Sequence, residues 1–226
     1  MYKICFLIPY YNHPQTIKKL CNILKTYNMP IIIVNDGSDG ELEIKNAIIL
    51  KHDKNLGKGA AIKTGMKYAK EQCFTHIFQI DADMQHDLHM IDEFLKVYEK
   101  DKNSLIIGYG KYDETIPKSR LYGRKITDLW VYINTLGGKF KDCMTGFRIY
   151  PINLEILEKT SSNRMEFDIE IIINYYKFDI NLIWMEVGVT YGAVSHFMKF
   201  KDNFLISLMH ARVFFALPKF IYKKIK

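Results

Sequence analysis

The sequence is poor in the features that mark several common protein classes. It has four cysteines, Cys5, Cys21, Cys73 and Cys143, and no Cys-x-x-Cys pair. That spacing offers neither a zinc site nor a disulfide framework, and it reads as reduced thiols in a cytosolic protein. No apolar run approaches the roughly 20 residues needed to span a bilayer. The opening MYKICFLIPYYN turns polar too soon for a secretory signal. No repeat, low-complexity tract or linker is visible. The expectation is one domain over residues 1–226, with 199–226 a basic, amphipathic C-terminal segment.

Acidic charge is scarce in that segment. Between Lys199 and Lys226 there are seven Lys/Arg and one acid, Asp202, so it holds six of the seven excess positive charges of the chain. The remainder is close to neutral, which argues against a nucleic-acid-binding domain. A basic patch confined to one end suggests a contact with anionic lipid or an acidic partner. With 48% hydrophobic and 25% charged residues, the chain has the composition of a compact domain with a substantial core.

What is present is an alternation. ICFLIPY, PIIIVNDG, NAIILKHD, HIFQIDAD and SLIIGYG read as buried strands. Between them lie helical patterns. PQTIKKLCNILKTY spaces Ile17, Leu20, Ile23 and Leu24 along one face. The next carries Ile62, Met66 and Ala69, and the third Ile91, Phe94, Leu95 and Tyr98. Strand–helix alternation predicts an α/β fold, a mainly parallel sheet with helices on both faces. Further on come a helix with Ile126, Leu129, Trp130, Ile133 and Leu136, a strand-like MTGFRIYP, a helix with Ile169, Ile172, Ile173 and Tyr176, and a strand in INLIWMEVGVTYG. The tail carries a stripe of Phe204, Leu208, Ala211 and Phe215, interrupted at Pro218.

Ligands of such sheets bind beyond the carboxyl ends of the strands, and the polar clusters fall there: YYNH, NDGSDG, DKNLGKG and DADMQHD. Asp81 and Asp83 end a strand that is otherwise apolar. Two carboxylates there supply hard oxygen ligands for Mg²⁺ or Mn²⁺, and Gln85 can add a carbonyl oxygen. A lone Asp-x-Asp is more often a solvated turn; three other polar loops at strand ends favour a site. Asp36 either accepts hydrogen bonds from a base or ribose or shapes a tight turn. Lys58, among glycines at a helix start, suits a phosphate. The loop is neither a Walker motif nor Gly-x-Gly-x-x-Gly.

FLIPYYN, VNDGSDG, NLGKGAAIKTG, DADMQH and MTGFRIY occur in the order found in family 2 glycosyltransferases of the GT-A fold. The chain resembles most the branch of polyprenyl-phosphate-mannose and -glucose synthases and their small bacterial relatives, over about two thirds of its length. The resemblance implies a Rossmann-like sheet and transfer of a hexose from a UDP- or GDP-sugar, with Mn²⁺ or Mg²⁺. It implies nucleotide-sugar binding by Pro9, Tyr10, Asp36, Lys58, Gly59, Asp81 and Arg148, and metal binding by Asp83, Gln85 and His196. Asp168 of EFDIE lies where many inverting members carry a base, which a hydroxyl acceptor requires and an ionised phosphate acceptor does not. Two departures are visible: His13 stands where family members usually carry Glu, and Phe167 where Glu is usual.

The expected activity is therefore metal-dependent, inverting hexosyl transfer to a lipid-linked or amphiphilic acceptor, in cell-envelope glycan or glycolipid synthesis. The expected place is the inner face of the cell membrane, held peripherally by the basic tail. Two competitors are a nucleotidyltransferase that forms the nucleotide-sugar and a non-catalytic scaffold. The first lacks its Gly-rich, Arg- and Lys-bearing signature in PYYNHPQ, and the intact Asp81, Asp83 and Gln85 argue against the second.

Overall fold

A computed structural model describes residues 3–110, 118–190 and 199–218. Seven strands form one sheet: β1 (Ile4–Tyr10), β2 (Ile31–Asp36), β3 (Ile48–His52), β4 (His76–Ile80), β5 (Leu105–Gly110), β6 (Phe147–Pro151) and β7 (Leu182–Val187), in the order β3-β2-β1-β4-β6-β5-β7. The helices are α1 (Pro14–Leu24), α2 (Lys58–Glu71), α3 (Ile91–Lys100), α4 (Lys118–Asn134), α5 (Leu154–Lys159), α6 (Phe167–Lys177) and α7 (Lys199–Phe215).

The period-two alternation of β1 divides the core. Cys5 and Leu7 face one layer with Ile62, Met66 and Ala69 of α2, and with α6 and α7. Phe6, Ile8 and Tyr10 face the other, with Ile17, Leu20 and Leu24 of α1 and Ile91, Phe94 and Tyr98 of α3. The faces predicted from spacing on α1, α2 and α3 are the buried ones, except that Ile23 is exposed and Leu95 half-buried. Pro14 opens α1, where its fixed φ suits the first turn. The stretch Phe167–Ile173 of α6 is buried at every position, because the helix is wedged between the sheet and its neighbours.

β6 departs from the parallel pattern. It runs antiparallel to both β4 and β5, with Ile80 opposite Phe147 and Gln79 opposite Arg148. Its beginning therefore meets the carboxyl end of β4, and the preceding loop, with Asp142, Cys143, Thr145 and Gly146, is delivered to the same crevice. The helices α4 and α7 pack together outside the sheet. On α7 the buried positions are Ile206, Met209, His210 and Val213. The stripe read from the sequence faces outward, with Phe204 67%, Leu208 53% and Phe215 78% exposed. On α4, likewise, Ile126 and Leu129 are exposed while Val131 and Asn134 are buried.

Candidate active site at the tip of β4

Four segments meet where β4 ends: the β4 tip, the start of α2, the start of α6 and the loop into β6. Lys58, the first residue of α2, donates from Nζ to Asp81 Oδ2 at 2.7 Å and to Asp168 Oδ2 at 2.8 Å. A cation is disfavoured at a helix N-terminus, so the two carboxylates decide its place there. Arg148 lies behind Asp168, with NH1 3.8 Å from its Oδ1. Asp81 Oδ1 accepts from Gln79 Nε2 at 3.2 Å. The result is an alternating series, Arg148⁺, Asp168⁻, Lys58⁺, Asp81⁻, with opposite charges adjacent throughout.

Burial and these neighbours set the proton affinities. Burial alone would weaken Lys58's hold on its proton, but Asp168 and Asp81 outweigh it and raise the ammonium well above the usual lysine range. Burial pushes Asp81 up, yet Lys58 and then His86 pull it further, leaving it below the ordinary carboxylate range. Asp83 goes the other way, raised by burial and then by the negative charge of Asp81. Asp168 is raised because burial exceeds the pull of Lys58 and Arg148. The two carboxylates thus shift in opposite directions, Asp83 chiefly through burial and Asp81, against burial, chiefly through Lys58, and such perturbed neighbours mark a candidate site.

The backbone around them is fixed from both sides. Ala82 O accepts from Thr16 Oγ1 at 2.6 Å. Asp83 Oδ1 accepts from Gln85 N at 3.0 Å. Gln85 O accepts from Thr190 N at 2.8 Å, Asp87 N donates to Gly188 O at 2.9 Å, and His86 forms a bridge with Val189. Gly146 closes against Asp81: a Cβ there would stand 1.9 Å from Asp81 Oδ2. Gly57 ends the preceding loop at φ +107, and a Cβ would meet Asn163 O at 2.4 Å.

Lys58, Asp81, Asp168 and Arg148, all singled out in the sequence, thus come together, with Asp83 and Gln85 beside them. Arg148 is fully buried, and its guanidinium donates to Tyr150 Oη, Asp168 O and Cys143 O, each at 2.9 Å. It stands behind the carboxylates rather than in the crevice. Asp168 is 2% exposed. Asp36 is also committed: Oδ1 takes His52 Nδ1 at 2.7 Å and Leu56 N at 2.9 Å, and Oδ2 takes Gly57 N at 2.8 Å. It clamps the loop that carries Lys58. Pro9 and Tyr10 finish β1 next to β2, and Gly59 lies against Phe167. His196 lies outside the described residues.

Sequence reasoning missed His86 and Gly146. His86 Nε2 is 3.1 Å from Thr145 Oγ1, its ring leans on Phe147, and its Nδ1 is buried without a hydrogen-bond partner among the described residues. The signal for it was its place in DADMQHD. The signal for Gly146 was a glycine immediately before a strand, whose partner could be known only once β6 was seen to run antiparallel.

The protein-family model described as glycosyl transferase family 2 matches residues 5–155. Among curated proteins, a UDP-N-acetylglucosamine–dolichyl-phosphate N-acetylglucosaminyltransferase of Methanococcus voltae is 29% identical over 219 residues, 85% of this chain and 87% of the relative. A dolichyl-phosphate beta-glucosyltransferase of Trichomonas vaginalis is 26% identical over 175 residues, 65% of this chain and 53% of the relative. Among solved structures, glucosyl-3-phosphoglycerate synthase of Mycobacterium tuberculosis, in complex with Mn²⁺ and UDP-glucose, superposes with a TM-score of 0.67 at 14% identity, over 97% of this chain and 79% of that one. That likeness establishes the GT-A fold. The family match runs through the β4 tip, the start of α2 and the loop into β6, over about two thirds of the sequence: the chain belongs to glycosyl transferase family 2 and is a glycosyltransferase.

Proposed function

We propose that the protein transfers a hexose, with inversion, from a UDP- or GDP-sugar to a polyprenyl phosphate or similar amphiphilic acceptor, using Mn²⁺ or Mg²⁺ at the β4 tip. The observation that carries this reading is the carboxylate pair Asp81 and Asp83, one lowered and one raised in proton affinity. A divalent cation relieves such repulsion. The donor set fits: Mg²⁺-like ions take one or two carboxylates and complete their shell with water and substrate phosphates. No group of three His, Cys, Asp or Glu side chains is arranged for a metal among the described residues, and water and substrate phosphate oxygens would complete the shell.

Asp83 and Asp81 would hold the ion, with Gln85; His196, a further ligand implied by the resemblance, lies outside the described residues. The ion supplies charge neutralisation on the departing diphosphate. Lys58 stands 2.7 Å from Asp81 and offers a second positive charge in the same place. Pro9, Tyr10 and the loop held by Asp36 would line the nucleotide. Arg148 acts through Asp168, as a positioning residue. With a hydroxyl acceptor Asp168 would be the base. Its burial and its two cationic neighbours favour instead a phosphate acceptor, which arrives ionised and leaves Asp168 to hold Lys58.

The acceptor class is supported by the relatives named for dolichyl phosphate and by the outer face of α4 and α7. Phe200, Phe204, Leu208 and Phe215 line exposed turns of α7, next to Lys199 and Lys201. Apolar residues flanked by lysines suit a peripheral contact with anionic lipid. Lys219, Lys223, Lys224, Lys226, Phe220 and Tyr222 of the tail lie outside the described residues. Among the described residues no helix is long and apolar enough to cross a membrane.

The test is release of nucleoside diphosphate from UDP- and GDP-hexoses, with polyprenyl phosphate or a soluble alcohol as acceptor, in Mn²⁺ or in chelator. The expected result is a metal-dependent polyprenyl-phosphate sugar. Pyrophosphate release would indicate a nucleotidyltransferase, and no turnover with any sugar would indicate a scaffold.

A further inference from the structure

Both oxygens of Asp81 already have donors. Oδ2 holds Lys58 Nζ at 2.7 Å and Oδ1 holds Gln79 Nε2 at 3.2 Å. Gly146 packs against one side of the carboxylate, since a Cβ there would sit 1.9 Å from Oδ2, and the side chain keeps 20% exposure on another. A cation that takes Asp81 as a ligand competes with these donors for the carboxylate, and Lys58 is the charged competitor. The charges agree with this. Arg148, Lys58, Asp168, Asp81 and Asp83 together carry a single net negative charge when all are ionised, a weak attraction for a bare divalent ion.

Lys58 in turn has only two ways to keep its charge satisfied in so buried a place. One is the pair of carboxylates it now bridges. The other is an anion delivered by the substrate. A diphosphate at the start of α2 is such an anion, and the helix N-terminus adds its own attraction.

We propose that Lys58 couples the two halves of the donor: it occupies Asp81 until a nucleoside diphosphate draws its ammonium away, and Asp81 then becomes available to the divalent cation. Metal alone and nucleotide alone then bind poorly, and each tightens the other by the same factor, as linkage requires. Asp168 is the counter-ion that stays with Lys58 during the exchange, which accounts for a carboxylate kept deep behind the site. This inference rests on the reading of Asp81 and Asp83 as metal ligands.

The test measures Mn²⁺ binding by the electron paramagnetic resonance of the free ion, with and without UDP. It uses the wild type, Asp83→Ala, Lys58→Met, and the double variant Lys58→Met/Asp168→Asn. The double variant loses one charge of each sign, so the net charge of the cluster is kept and only the competition is removed. Mn²⁺ alone should bind the double variant about ten-fold tighter than the wild type, and the tightening produced by UDP should shrink by a similar factor. Part of that tightening comes from direct contact of metal with diphosphate and is common to all the variants. Equal Mn²⁺ affinity and equal UDP tightening in wild type and variants would overturn the role of Lys58 while leaving the metal site standing. Mn²⁺ binding that ignores Asp83→Ala, or is absent from all four proteins even with UDP, would instead overturn the metal reading beneath it. Should the Lys58 variants fail to fold, a crystal structure of the wild type with Mn²⁺ and UDP decides. Nζ is expected against the diphosphate, and a metal-bound structure with Nζ still on Asp81 Oδ2 contradicts the proposal.

Discussion

The β4 tip and the α4–α7 pair dispose of their polar groups in opposite ways. At the tip, buried charges alternate in sign across four segments of chain, and burial is tolerated because each charge meets its opposite. Between α4 and α7 the buried polar groups are neutral and only half satisfied. Asn134 Nδ2 is 3.1 Å from His210 Nδ1, while Asn134 Oδ1 and His210 Nε2 have no hydrogen-bond partner among the described residues. Outside this seam both helices expose apolar side chains. The tip is organised around paired charge. The helix pair presents a surface, and is tied to the core by Val131, Ile206, Met209 and Val213, by Arg212 on Glu170 at 2.8 Å and by Arg164 near Asp202 at 4.0 Å. If the contrast is real, changes at the tip should act on turnover, and changes at the helix pair on stability or on membrane contact.

The largest effect is expected at the tip. Asp83→Ala should lower turnover by about 10²–10³-fold, the usual cost of losing charge stabilisation on a leaving group. The melting temperature should stay within a few degrees, because Asp83 gives the fold little beyond one bond to Gln85 N. Nucleoside diphosphate release and a thermal melt measure the two sides. A large drop in melting temperature would make the tip structural and dissolve the comparison.

The second effect belongs to the helix pair. Burial lowers the His210 pKa from 6.5 to about 4. The native state then binds fewer protons than the unfolded chain, so this contribution is intact above pH 6.5 and is lost as pH falls from 6.5 toward 4. The loss amounts to about 3 kcal/mol. His210→Gln, which keeps a polar side chain for Asn134, should remove that part of the slope. Urea unfolding of both proteins at several pH values checks it, and identical slopes would place the proton elsewhere.

How much of this was legible in the sequence follows the same division. The strands and the faces of α1, α2 and α3 were readable because their environment is one-sided, so spacing alone separates core from solvent. The stripe on α7 was read as a lipid-contacting face, but spacing alone did not fix which side of the helix packs on the core. Ile206, Met209 and Val213 on one side are as apolar as Phe204, Leu208 and Phe215 on the other, and periodicity has no contrast to report. The Asp81–Asp83 pair was visible by its place at the end of an apolar strand. The burial of Arg148 was not: an arginine after Thr-Gly-Phe reads as exposed, and only the antiparallel β6 supplies Tyr150, the Cys143 carbonyl and the Asp168 carbonyl that make its burial possible.

Smaller effects sharpen the contrast further. Arg212→Met should cost about 1 kcal/mol in urea unfolding, since Arg212 is partly exposed and Glu170 still accepts from Ser162 N at 2.8 Å. Turnover with a soluble donor should change little. Smallest of all in stability is Phe204→Ser with Phe215→Ser, expected within about 0.5 kcal/mol because both rings already face solvent. The same pair should reduce sedimentation with anionic phospholipid vesicles several-fold. Unchanged vesicle binding would assign the exposed stripe to something other than lipid.

The central claim is a divalent cation held by Asp81 and Asp83 against the diphosphate of a sugar donor. Anomalous scattering at the manganese edge, from crystals grown with Mn²⁺ and UDP, tests it most directly. The account expects a peak in coordination contact with the Asp83 carboxylate and a UDP phosphate oxygen. UDP bound in the crevice with no manganese peak beside Asp83 would contradict it.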